Sequence, residues 1–116
     1  MINVEHDEER EDEMDQETCL SISEFIGVLS NPYRVKILCA LFAGEKSVSK
    51  IAQAVALPPA HVSSHLRVLY DRGYLDRRRE WKQVFYSLRL PQVQKFLELA
   101  SELAGRNSGS SPTLPH

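Results

Sequence analysis

The sequence is poor in several residues that catalysis and secretion call for. Two cysteines in 116 residues, Cys19 and Cys39, are too few for a disulfide framework. The five glycines form no loop spaced to cradle a phosphate. Ser63, Ser64 and His65 adjoin on one helical pattern and cannot supply a nucleophile, a base and an orienting group. Neither an enzyme nor a cofactor is therefore expected. No apolar run approaches the roughly 20 residues that span a bilayer, so no membrane partner is expected. The acidic N-terminus lacks the apolar core of a signal peptide, and a cytoplasmic location is the expectation.

What is present is a divided charge. The formal net charge is −2, yet residues 1–17 hold nine acids against one base, Arg10. The remainder is therefore +6 by difference. Seven bases and three acids fall between Arg67 and Arg89. Such a body attracts phosphates. Residues 1–15 have no apolar periodicity and read as a disordered acidic tail. That tail either solubilises the chain or brakes non-specific binding to polyanions.

Residues 47–73, SVSKIAQAVALPPAHVSSHLRVLYDRG, hold the most informative pattern. Ser47 suits a helix N-cap, and Val48, Ile51, Ala52 and Val55 then share one face. Leu57-Pro58-Pro59 interrupts, and Pro59 suits the first turn of a second helix. Val62, Leu66 and Leu69 make its buried stripe, and Gly73 a stop. Its opposite face is small, polar and basic. Two short helices around a tight turn predict a helix-turn-helix.

Upstream, residues 16–29 predict a helix with Cys19, Ile22, Phe25, Ile26 and Leu29 on one side. A second helix starts at Asn31-Pro32, runs to about Ala43 with Val35, Leu38, Cys39 and Phe42 inward, and stops at Gly44. Downstream, residues 74–80 and 83–88 predict two strands joined through Glu80-Trp81-Lys82. Pro91 opens a last helix with Val93, Phe96, Leu97, Ala100, Leu103 and Ala104 on a broad apolar face. Residues 105–116 read as a disordered tail, leaving 16–104 as the folded domain. The expected architecture is mainly α with a small β-hairpin, a winged helix-turn-helix in the order α-α-α-α-β-β-α. Terminal helices with wide apolar faces predict a homodimer through the first and last helices.

Three stretches carry a resemblance: NPYRVKILCAL, LPPAHVSSHLRVLYDRGYL and RRREWKQVFYSL. In order and spacing, over roughly residues 25–104, they resemble the ArsR/SmtB-type family of bacterial winged-helix repressors. The resemblance implies a homodimer that binds double-stranded operator DNA and leaves when a signal arrives, commonly a metal ion or a thiol-reactive species. It places Pro59, Ala60, His61, Ser63, Ser64, His65 and Arg67 at the major groove, and Arg77, Arg78, Arg79 and Lys82 on the wing. Trp81 stands where the family wing often has glycine; it either packs under the wing or wedges at a DNA surface. The competing expectation is a winged helix that binds protein and has lost DNA function.

The signal is harder to read. One family metal site needs a Cys-x-Cys pair near the third helix, where this chain has SVSKI. Another needs histidine on the last helix, where it has Glu98 and Glu102 but no His. No metal site is expected. The string from Arg34 to Cys39, R-x-x-I-L-C, resembles the subgroup that senses persulfides and oxidants through two cysteines. The position of the second cysteine falls near Gly105, so Cys19 is the substitute partner, if the Cα atoms come within about 7 Å. Otherwise Cys39 is a small buried hydrophobe.

Overall fold

The computed structural model describes residues 14–108. Two compact units divide after Asn31. The first holds helix α1, Gln16–Leu29. Asp15 caps it: one carboxylate oxygen accepts from the Thr18 N–H at 2.7 Å, and hydrogen bonding from the Thr18 side chain, then its N–H, holds the Asp15 carboxyl below its usual range. Of the expected apolar face, Leu29 is buried, Phe25 half-buried, and Cys19, Ile22 and Ile26 are exposed. The sequence period is helical as expected, but the inward set within this chain is Val28 and Leu29.

The second unit contains α2 (Pro32–Ala40), β1 (Lys46–Ser47), α3 (Val48–Val55), α4 (Pro59–Asp71), β2 (Leu75–Glu80), β3 (Gln83–Leu88) and α5 (Gln92–Ser108). With α1 these make five helices and a three-stranded antiparallel sheet, a winged helix-turn-helix. Strand β1 is an addition to the expected hairpin. Its two residues pair Lys46 with Tyr86 and Ser47 with Phe85, giving the order β1-β3-β2. Two residues are too few to show the alternation by which a strand is recognised.

Helix α2 departs from expectation. It ends at Ala40, and Leu41, Phe42 and Gly44 donate instead to carbonyls three residues back. Its inward residues are Ile37 and Leu38, followed by Leu41, while Val35 and Phe42 are half-buried and Cys39 is exposed. The stretch is apolar on nearly every side, so spacing alone does not choose the buried face. The last helix is longer than expected. It passes through Gly105 and reaches Ser108. Of the tails expected at residues 1–15 and 105–116, residues 105–108 instead continue α5 and Asp15 caps α1, while residues 1–13 and 109–116 lie outside the described residues.

The core of this unit is where α2 packs on α3, α4 and α5. Ile37, Leu38, Ile51, Val62, Leu66 and Leu69 are fully buried there. Ser47 serves two elements at once. It closes β1 and caps α3, its hydroxyl accepting from the Lys50 N–H at 3.3 Å. Both helices of the pair end in the same hydrogen-bond pattern. Leu57 N–H reaches Ala52 O and Ala56 N–H reaches Gln53 O; Tyr74 N–H reaches Leu69 O and Gly73 N–H reaches Tyr70 O. The pivot is left-handed each time, Gly73 at φ +85° but Ala56 at φ +59°. Ala56 thus holds a conformation that costs an L-residue about 1–2 kcal/mol.

Candidate nucleic-acid interface

Helix α4 is anchored by the stripe the sequence showed. Val62, Leu66 and Leu69 are 0% exposed. That fixes the rotation of the helix, and so fixes what it presents outward. Pro59, Ala60, His61, Ser63, Ser64 and Arg67 are all exposed. Pro58 precedes the helix without a side-chain cap bond, and Pro59 stands at its first position. The outward set is short at its N-terminal end and basic further on, so backbone can approach a groove closely there.

His65 differs from its neighbours. It is half-buried, and its ring stacks on Tyr33 with centroids 6.0 Å apart. An open cavity of about 400 Å³ lies beside it, lined by Tyr33, Leu57, His61, Ser64 and His65. Desolvation lowers the His65 pKa, and the nearby charges of Arg34 and His61 lower it further. His65 is therefore a neutral hydrogen-bonding group at neutral pH, not a cation.

The wing is a hairpin with Glu80 paired to Gln83, so Trp81 and Lys82 alone form its tip. Trp81 takes φ +61° and Lys82 does not take a positive φ, the signs of a type II′ turn. That position ordinarily holds glycine, and here a tryptophan holds it under strain.

The four basic wing residues are not equivalent. Arg77 lies over the Tyr70 ring of α4 at 4.1 Å, and hydrogen bonding to Tyr86, its cross-strand partner, raises its pKa. Arg78 is held harder. Its Nε donates to Glu45 Oε2 at 2.9 Å, Nη2 to Glu45 Oε1 at 2.8 Å, and Nη1 to Glu80 Oε1 at 2.8 Å. Its guanidinium also lies 4.7 Å from the Phe85 ring centroid. The Glu45 carboxyl is held below its usual range by this contact. Arg79 and Lys82 are exposed and make no ion pair among the described residues. Tyr33, Glu45, Tyr70 and Phe85 were not expected at this surface. Each meets its partner only through the folded chain, and spacing carries no sign of such pairs.

Cys19 and Cys39 are free and exposed, so the buried-hydrophobe reading of Cys39 does not describe it. Partial burial nonetheless raises the Cys39 thiol pKa. Among the described residues no three His, Cys, Asp or Glu side chains stand together as metal ligands, and no helix is long and apolar enough to cross a membrane.

Residues 31–77 match the family described as bacterial regulatory proteins of the arsR family. The chain is 32% identical over 88 residues to a probable mercury resistance operon repressor of Streptomyces lividans, covering 76% of this chain and 70% of that one. This chain belongs to the arsR family. A second relative, the transcriptional activator HlyU of Vibrio cholerae, is 33% identical over 75 residues, or 65% of this chain and 69% of that one. Among solved structures, the antimony-specific transcriptional repressor AntR superposes with a TM-score of 0.76 at 29% identity, over 85% of this chain and 90% of that one. The family member described here is accordingly a DNA-binding transcriptional regulator, and its relatives are regulators rather than enzymes.

Proposed function

We propose that this regulator represses transcription by binding an inverted-repeat operator as a homodimer. The observation that carries the reading is the α4 surface. Three fully buried side chains set its rotation, and six exposed ones, from Pro59 to Arg67, face outward. Ser63, Ser64, His61 and neutral His65 suit base edges and phosphate oxygens, and Arg67 suits guanine or phosphate. Arg79 and Lys82 supply phosphate neutralisation from the wing, and Arg77 and Arg78 hold the wing in shape. Leu99 and Leu103 on α5, each 53% exposed, and, separately, Ile26 on α1, 48% exposed, are apolar side chains that a second copy would cover. Two copies related by a twofold axis place half-sites about one helical turn apart. Selection of bound duplexes from a random pool tests this: inverted repeats at that spacing are expected, and an unenriched pool overturns the reading.

The signal we assign is thiol chemistry, with Cys39 and Cys19 as the candidate groups. Both thiols are free and exposed. The same selection, run with reduced protein and with protein treated with diamide or polysulfide, separates a sensor from a bystander. Lost enrichment after oxidation is expected, and a Cys39→Ser variant should keep it. Equal enrichment in both arms removes the thiol signal and leaves the DNA reading standing.

A further inference from the structure

Trp81 makes no hydrogen bond, ion pair or ring contact among the described residues. It is 86% exposed, although it is a large apolar side chain and the only tryptophan of the chain. It also occupies the left-handed position of a two-residue turn, at φ +61°. Both features disfavour tryptophan there, and a glycine would relieve both. Inside this unit the aromatic rings that do structural work are elsewhere: Tyr70 and Phe85 receive Arg77 and Arg78, and Tyr86 is buried. The indole is instead held at the apex by a fully paired hairpin, from Leu75↔Leu88 to Glu80↔Gln83. It sits next to Lys82, with Arg79 opposite Val84 one step from the tip, and both bases are unpaired among the described residues.

We propose that Trp81 is a DNA-contacting residue, an apolar wedge that the wing sets into the minor groove beside each half-site. This rests on the operator-binding reading given above. Lys82 and Arg79 bring the tip to the phosphates on either side of the groove. The indole then leaves water against sugars and the edges of a base step, partly unstacking it. Steps that unstack at low cost, such as TA and CA, are preferred at the contacted position, and that preference is read with no hydrogen bond to a base. Recognition thus has two chemically distinct parts: polar readout by α4 and deformability readout by Trp81.

The test uses the full chain and an operator duplex obtained by selection. Because Trp81 is the sole tryptophan, its fluorescence reports the contact directly. A blue-shifted and quenched emission on adding duplex is expected, with the water-exposed spectrum returning at high salt. Trp81→Ala should weaken operator affinity roughly tenfold, with Trp81→Phe between it and the wild type. The slope of log affinity against log salt should stay unchanged, since no charge is lost. Trp81→Gly should also weaken affinity while raising the thermal midpoint, so misfolding cannot account for the loss. Binding with an unmoved emission and equal affinity in the variants overturns the wedge and leaves the operator reading intact. Failure of the wild type to bind any duplex overturns both.

Discussion

Arg78 grips both carboxylate oxygens of Glu45, 33 residues away in sequence, at 2.9 and 2.8 Å. Its remaining terminal nitrogen reaches Glu80. The charge is thus answered within the protein, while the adjacent Arg79 is not. The expected outcome is a split between neighbours. Arg79→Ala flattens the salt dependence of DNA affinity by about one unit of slope, and Lys82→Ala does the same. Arg78→Ala leaves the slope near its wild-type value, and any loss of affinity comes from a displaced wing. Anisotropy titrations at several salt concentrations measure this, and equal slopes for Arg78→Ala and Arg79→Ala would count against the pairing.

His65 supplies a pH dependence. Its pKa is lowered in the folded state from the ordinary 6.5, chiefly by desolvation beside Tyr33. Below pH 6.5 the unfolded chain therefore binds a proton that the folded chain resists. Stability is full above that pH, declines as pH falls through it, and levels off below the folded pKa. A His65→Gln variant should lose less stability over that window than the wild type. Denaturant midpoints at a series of pH values check the sign, and an NMR titration of the ring should rise when DNA is bound.

The turn of the helix-turn-helix carries removable strain. Ala56 sits at φ +59° in a pattern where Gly73, at the end of α4, uses glycine. Ala56→Gly should stabilise the domain by about 0.5–1 kcal/mol, or several degrees in Tm. Gly73→Ala should destabilise it by about 1 kcal/mol or more. Scanning calorimetry of the two variants gives opposite signs if the pivots are as described, and like signs if they are not.

Cys39 reports on its surroundings through its rate of alkylation. Partial burial raises the thiol pKa of this otherwise exposed residue. The thiolate fraction at neutral pH is correspondingly small. In a Cys19→Ser background the alkylation rate of Cys39 should rise with pH along a curve displaced upward from that of the denatured chain. Coincident curves would mean that α2 leaves this thiol fully hydrated.

Much of this surface was legible in the residues. The stripe of Val62, Leu66 and Leu69, the Ser47 cap and the Gly73 stop each follow from a local rule, and each appears in the fold. What was not legible is non-local or ambiguous. Strand β1 is too short to show a period. The apolar residues of α2 ring the helix, so spacing does not single out Ile37 as inward or Cys39 as outward. The tail expected from Gly105 on does not begin there, since a single glycine does not end α5, which reaches Ser108. Arg78 looked like Arg77 and Arg79 because Glu45 is far away in sequence. At Trp81 a local rule failed outright, since the tip of a two-residue hairpin calls for glycine, and such failures gather where function overrides stability.

In the proposed complex α4 reads bases while the wing reads backbone and shape. Ser64 is exposed on α4 and touches the cavity beside His65. The most direct measurement is the ratio of affinities for the selected operator and a scrambled duplex of equal length at one salt concentration, in wild type and in Ser64→Ala. A wild-type ratio of at least about 10³ is expected. Ser64→Ala should reduce it roughly tenfold by weakening the operator alone, the scrambled affinity staying as it was. A wild-type ratio near one, or an equal loss on both duplexes, would contradict it.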